Sequence, residues 1–170
     1  IFAGPVIVTL SEEARLIYLG ILQGLPVYDE TVLCIDIGGG STEFLIGEQR
    51  KSIYTNSLKL GAVRLTLKFF PLGTITANAI KQCREYIVGL LTPVVRNIDH
   101  YRYSSVIGTS GTIENIARII QYKQHGELAK DINGFVITRK DLYSVVEKIL
   151  NAKQPSQRAK IDGLDVARID

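Results

Sequence analysis

The feature that most constrains the fold is a run of three glycines directly after an apolar segment. Residues 31–37 are almost continuously apolar and rich in β-branched side chains, which is typical of a strand covered on both faces. Gly38, Gly39 and Gly40 then break the pattern. Because each glycine gives up stability relative to alanine in a regular element, this turn requires a property that only glycine supplies.

The remaining pattern predicts a mixed order of helices and strands. Residues 11–22 predict a helix, because a capping serine and two acidic residues precede an apolar stripe. Further strands are predicted at 42–46, 52–58 and 104–107, a hairpin turn at 47–50, and helices at 62–70, 76–98, 113–121 and 138–150. Pro93 is expected to kink the second of these helices or to end it early. This order predicts an α/β fold with a mixed sheet flanked by helices, not a pure Rossmann alternation.

Composition excludes several classes of protein. The net charge of +3 is scattered along 170 residues, without the basic run of a nucleic-acid-binding arm, so no DNA partner is expected. No apolar run is long enough to span a bilayer and no signal peptide is recognisable, which predicts a cytoplasmic protein without a membrane partner.

Cys34 and Cys83 are predicted to be reduced and buried, with a disulfide as the alternative. The chain starts at Ile1 without a methionine, and we expect it to be a fragment.

Residues 36–43 form the most informative candidate site. Glycine tolerates positive φ angles, and it also lets phosphate oxygens approach backbone amides without a Cβ in the way. Ser41 and Thr42 add hydroxyl donors, while Asp36 and Glu43 are carboxylates suited to hold Mg²⁺. The segment predicts a phosphate and metal site; a glycine-rich hairpin with a capping aspartate is the alternative.

A second small-residue turn, Gly108-Thr109-Ser110-Gly111-Thr112, lies between a predicted strand and a predicted helix. Free amides at a helix N-terminus favour anions, although the same residues also suit an ordinary connecting loop. Since both turns follow strands of one small sheet, we expect them to face one cleft.

Four segments in order resemble motifs of the exopolyphosphatase/guanosine-pentaphosphate phosphatase (Ppx/GppA) family. They are residues 11–20 (SEEARLIYLG), 35–44 (IDIGGGSTEF), 60–66 (LGAVRLT) and 107–112 (IGTSGT), and residues 163–170 resemble the start of a fifth. The chain departs from the family pattern at Leu10-Ser11, where a glycine is usual, and at Leu67, where a glutamate is usual.

The resemblance implies an actin-like fold, shared with Hsp70 chaperones and sugar kinases, in which two lobes close over a phosphate-bearing ligand. Residues 1–24 would be the end of the first lobe and an inter-lobe helix, and residues 25–170 the second lobe, truncated before its last strand. The implied partners are polyphosphate or guanosine pentaphosphate and the N-terminal lobe of the same protein. The full-length protein is a candidate homodimer, and the fragment alone is expected to be inactive.

The resemblance also implies roles for individual residues. It makes Glu13 the group that activates water, although a pair of glutamates at a helix start also acts as capping charge. It assigns phosphate and Mg²⁺ binding to Asp36, Gly38, Gly39, Gly40, Ser41, Thr42 and Glu43. It also implies a phosphate contact for Arg64, for which a surface arginine is an equal alternative. An ATP-dependent kinase or ATPase of the same superfold, or a non-catalytic nucleotide-binding lobe, remains open.

Overall fold

The computed structural model describes residues 10–128 and 130–169, with the side chains of residues 10–13 outside the description. The predicted element order is confirmed. The strands are β1 (Val32–Ile37), β2 (Thr42–Glu48), β3 (Lys51–Leu58) and β4 (Ser105–Thr109). The helices are α1 (Leu10–Gly24), α2 (Ala62–Phe69), α3 (Ala77–Ile98), α4 (Ser110–His125), α5 (Arg139–Asn151) and α6 (Pro155–Arg158), followed by a short 3₁₀ turn at Val166–Arg168.

The four strands form one mixed sheet in the order β3-β2-β1-β4. β2 pairs antiparallel with both β1 and β3, whereas β4 pairs parallel with β1. Parallel neighbours end at the same edge of a sheet, so the segments that follow β1 and β4 emerge side by side. This pairing confirms that the two predicted turns lie at one edge.

The alternation of side chains in β1 and β2 divides the core between the two faces of the sheet. Val32, Cys34 and Leu45 pack against α1 on one face, and Leu33 and Phe44 pack against α3 on the other. A third cluster joins α4, α5 and the segment after α6. β1 is thus covered on both faces, as its nearly continuous apolar sequence predicts.

Three predicted boundaries need correction. Gln49 and Arg50, both at positive φ, form a tighter hairpin turn than predicted, so β2 extends to Glu48. β4 passes directly into α4 at Ser110, and the predicted loop at 108–112 is the end of a strand and the first turn of a helix. α3 continues through Pro93, because Val94 and Ile98 just beyond it are buried in the core.

Both cysteines are free and buried, as predicted. Burial raises the pKa of the Cys34 thiol to about 12, so this side chain is neutral and acts as a small apolar group. No helix in the described ranges combines the length and the apolar character needed to cross a membrane.

Arg158 joins three distant parts of the chain from a buried position, with 3% of its surface exposed. Its guanidinium donates to the carbonyl oxygens of Gly73, Ala152 and Ile169 at 2.6, 3.0 and 2.6 Å. These carbonyls belong to the α2–α3 connection, the end of α5 and the segment after the 3₁₀ turn. A planar guanidinium with five donors can satisfy all three acceptors at once.

We expect Arg158→Ala to lower the free energy of unfolding by roughly 2–4 kcal/mol, because it leaves buried carbonyl groups without donors. Arg158→Lys should lose less, since an ammonium still donates hydrogen bonds, although it cannot reproduce the geometry of the guanidinium. Urea unfolding followed by circular dichroism measures both, with exposed Arg84→Ala on α3 as the control. An Arg158→Ala protein as stable as the control would contradict this role.

Candidate functional site

Four polar side chains form a row across the α1 face of the sheet, one from each strand. Asp36 in β1 pairs with Glu43 in β2 and with Thr109 in β4, and Glu43 pairs in turn with Ser57 in β3. Ser57 Oγ donates to Glu43 Oε1 at 3.0 Å, and Thr109 Oγ1 donates to Asp36 Oδ2 at 2.7 Å. We call Ser57, Glu43, Asp36 and Thr109 the polar row.

Two carboxylates lie side by side at the centre of the polar row. Asp36 and Glu43 are directly opposite in an antiparallel pair, where like charges destabilise a sheet. Glu43 is also 4% exposed, so water screens it poorly. Each carboxylate receives one hydroxyl bond, from the side away from the other carboxylate. The row therefore concentrates negative charge at the edge where the predicted turns emerge.

The start of α1 lies above this pair of carboxylates. A narrow crevice between helix and sheet is lined by Ala14 and Ile17 of α1 and by Cys34, Asp36, Glu43 and Leu45 of the sheet. The side chain of Glu13, the predicted water-activating group, lies outside the described residues. Its direct neighbour Ala14 nevertheless lines the crevice that contains both predicted metal ligands.

The glycine turn is stabilised by its backbone. Gly38 N donates to Ser41 O at 3.0 Å, while the carbonyls of Gly38 and Gly39 accept from the amides of Ala62 and Arg64 at 2.9 and 3.1 Å. Within the described ranges, the amides of Gly39 and Gly40 make no hydrogen bond. These two amides are therefore available to an anion.

The structure decides between the two explanations of the glycine run. Positive φ angles do not occur at Gly38, Gly39 or Gly40, so the left-handed conformation is not the reason for them. A Cβ on Gly39 would lie 3.2 Å from Val63, whereas a Cβ on Gly40 would point into open space. Close approach to α2 explains the glycine at Gly39, whereas no contact within the described residues requires a glycine at Gly40.

Thr42 supports the turn from the other face of the sheet. Its hydroxyl is buried and donates to Leu60 O at 2.8 Å. This bond fixes the entry to α2, where Gly61 contacts the glycine turn so closely that an added Cβ would overlap backbone atoms of Gly39 and Gly40. Thr42 thus stabilises the turn from the face of the sheet opposite to the carboxylates of Asp36 and Glu43.

Arg64 lies beside the glycine turn, as the phosphate prediction requires. Its Nε donates to Gly40 O at 3.0 Å, and its side chain is exposed. One nitrogen thus fixes the guanidinium against the turn and leaves the other two to contact a ligand. Whether they bind phosphate remains a prediction.

The second predicted turn is the N-terminus of α4. Thr109 occupies the N-cap position, but its hydroxyl donates to Asp36 and accepts no hydrogen bond from a helix amide. Ser110 has φ 74°, a left-handed conformation that is costly for a residue other than glycine and that often occurs at functional sites. The helix therefore begins without a side-chain cap and has its first amides beside the polar row.

A cation that the sequence did not single out lies next to this N-terminus. Arg168 Nη1 donates to Thr112 Oγ1 at 3.2 Å, and its guanidinium packs so closely on Gly111 that a Cβ there would displace it. Gly111 and Arg168 line a cleft of about 440 Å³. Its other lining residues are Glu114, Asn115, Arg118, Leu128, Gly163, Leu164 and Asp165. Only this long-range contact reveals Arg168, because its sequence position lies 56 residues from Thr112.

Ser57 and Gly61 were also missed by the sequence interpretation. Ser57 is one polar residue in a strand, and only the register of β2 against β3 places it beside Glu43. Gly61 belongs to a quoted motif, but its role depends on the contact between α2 and a turn 22 residues earlier. Both signals are tertiary, which explains why a local pattern could not find them.

Comparison with known proteins agrees with this fold. Residues 6–170 match the model of the Ppx/GppA phosphatase family. The chain is 32% identical over 171 residues to a Haemophilus influenzae protein named "Putative exopolyphosphatase", covering all of this chain and 50% of that protein. It is 31% identical over 110 residues to the guanosine-5'-triphosphate,3'-diphosphate pyrophosphatase of Photobacterium profundum, covering 65% of this chain and 22% of that protein.

Solved structures of an exopolyphosphatase and of a Ppx/GppA phosphatase have a fold similar to that of this chain. The exopolyphosphatase from Cytophaga hutchinsonii superposes with a TM-score of 0.81 at 26% identity, covering 95% of this chain and 52% of that one. The type II variant of the Aquifex aeolicus Ppx/GppA phosphatase superposes with a TM-score of 0.77 at 25% identity, covering 93% and 50%.

The chain belongs to the Ppx/GppA phosphatase family, and its mixed sheet flanked by helices is an actin-like lobe, as predicted. It spans about half the length of the Haemophilus relative and of both structures.

Gly61→Ala should destabilise the protein by roughly 1–3 kcal/mol, because a methyl group at this position overlaps backbone that cannot move aside like a side chain. The matched control is Gly20→Ala in α1, where a Cβ meets open space and helix propensity favours alanine by up to about 1 kcal/mol. Urea unfolding compares the two. If both variants gain stability, the close contact between α2 and the glycine turn is wrong.

Proposed function

We propose that the complete protein containing this chain is a Mg²⁺-dependent phosphohydrolase that releases terminal orthophosphate from linear polyphosphate, guanosine pentaphosphate or both. The observation that carries the proposal is the convergence of the polar row, the free amides of the glycine turn and the uncapped start of α4 at one edge of the sheet. Carboxylates for a cation and amides for phosphate oxygens are the groups that phosphoanhydride hydrolysis requires.

The residues present fit a Mg²⁺ ion. Asp36 and Glu43 offer carboxylate oxygens, each with one oxygen not used by its hydroxyl partner. Within the part of the chain that is described, no group of three or more acidic, histidine or cysteine side chains could hold a metal. This suits Mg²⁺, which usually takes one or two carboxylates and completes its shell with water and substrate phosphates. When bound, the ion would neutralise negative charge on the phosphate oxygens.

The chain's own residues would then divide the work. The amides of Gly39 and Gly40 would bind the oxygens of one phosphate, and the start of α4, through Ser110, Gly111 and Thr112, would bind those of another. Arg64 and Arg168 would add positive charge beside these two sites, since both are already fixed against them by a hydrogen bond. A second lobe would close the site from the opposite side.

Glu13 would orient the attacking water. Its carboxylate would accept a proton from the water as the new bond to phosphorus forms and the bond to the bridging oxygen breaks. Support comes from the family motif at residues 11–20 and from the position of Ala14 in the crevice beside Asp36 and Glu43.

With Mg²⁺, the complete protein should release orthophosphate from polyphosphate or guanosine pentaphosphate, measured by a colorimetric phosphate assay. Chelation of the metal should abolish the release. Asp36→Asn should reduce it, because a neutral amide is a poorer ligand for Mg²⁺. ADP formation with phosphoryl transfer to a sugar would instead identify a kinase, and nucleotide binding without turnover would identify a binding lobe.

Glu13→Gln in the complete protein should lower kcat by about 10²-fold or more, the usual contribution of a positioned acid–base group. Substrate affinity should survive, because the phosphate donors are unchanged. Glu12→Gln is the matched control, since it removes the same charge one residue away. Equal and small effects of both substitutions would show that the pair only stabilises the start of the helix.

A further inference from the structure

Ser57 is a residue to which neither the sequence motifs nor the family comparison assigns a role. It lies near the end of β3, on the α1 face of the sheet, and is half-buried. Its hydroxyl donates to Glu43 Oε1 at 3.0 Å across the antiparallel β2–β3 pair. The side chain thus contacts a predicted metal ligand without belonging to either turn.

The position of Glu43 in the polar row explains what this contact does. Glu43 has Asp36 on one side and Ser57 on the other, because β2 lies between β1 and β3. Repulsion from Asp36 disfavours orientations that bring the Glu43 carboxylate towards β1, and a donor on the β3 side stabilises the orientation that points away from it. The Ser57 hydroxyl holds Oε1 towards β3, and Thr109 holds Asp36 towards β4 in the same way.

We propose that Ser57 is a positioning residue that orients the Glu43 carboxylate for binding a divalent cation between the strands. The proposal rests on the proposed function only for its catalytic consequence, because orientation of a ligand acts first on cation affinity. Residues that hydrogen-bond to metal ligands typically contribute 10–100-fold in metal affinity or activity.

Two substitutions of nearly identical shape test this role. Ser57→Thr keeps the hydroxyl, and Ser57→Val replaces it with a methyl group, while both are β-branched residues that suit a strand. Ser57→Ala removes the hydroxyl without added volume. Ser52→Ala is the control, because Ser52 lies exposed on the same strand and pairs with Gly47 instead of Glu43.

The measurement is Mg²⁺ affinity of the complete protein by isothermal titration calorimetry, together with kcat and KM for orthophosphate release. We expect Ser57→Val and Ser57→Ala to bind Mg²⁺ about tenfold more weakly. Both should lower kcat with little change in KM. Ser57→Thr and Ser52→Ala should stay within about threefold of the unmodified protein. Thermal unfolding of all variants separates a loss of orientation from a loss of folding.

The outcomes distinguish this inference from the proposed function. Unmodified protein that binds Mg²⁺ but releases no phosphate, with weaker binding in Ser57→Val, would reject the phosphohydrolase and retain the role of Ser57. Active protein in which Ser57→Val matches Ser57→Thr in both affinity and kcat would reject the role of Ser57 and retain the phosphohydrolase. Absence of Mg²⁺ binding in the unmodified protein would overturn the inference.

Discussion

The direct opposition of Asp36 and Glu43 in the β1–β2 pair is the constraint on which the rest of the site depends. The register fixes it, because a shift of β2 by one residue would turn Glu43 to the α3 face and move Phe44 out of the core cluster there. The core therefore determines the geometry of the charged pair. Hydrophobic packing on two faces holds two like charges side by side, and the hydroxyls of Ser57 and Thr109 offset part of the cost.

The contact with α2 fixes the conformation of the glycine turn. When the carbonyls of Gly38 and Gly39 accept from the first turn of α2, the peptide planes are fixed. A peptide amide points opposite to its carbonyl, so amides of the turn are directed away from the helix. Two of the first amides of α2, those of Ala62 and Arg64, are used in this contact. The start of α2 thus fixes the orientation of the peptide planes in the glycine turn.

The outcome of the sequence analysis follows from the range of each signal. Element order, the covered strand β1 and the edge shared by the two turns were predictable, because periodicity and glycine placement are local. The continuation of α3 through Pro93 was not, since burial of Val94 and Ile98 outweighs a missing backbone bond. Ser57, Arg158 and Arg168 lay beyond reach for a related reason. In the sequence, Ser57 lies 14 residues from Glu43, Arg158 lies 85 residues from Gly73, and Arg168 lies 56 residues from Thr112. No local pattern encodes such contacts.

Phosphate and metal sites on a shared fold do not by themselves separate a hydrolase from a kinase, because one fold supports many functions. Separation requires a group that activates water and not a substrate hydroxyl, and it must lie at the reacting phosphate. Within this lobe, α1 is the element that contacts the crevice beside Asp36 and Glu43, through Ala14 and Ile17. In the proposed mechanism the group that activates water is Glu13, whose position in the sequence is at the start of α1. The sheet would then hold the cation and phosphate, and α1 would determine which nucleophile is activated.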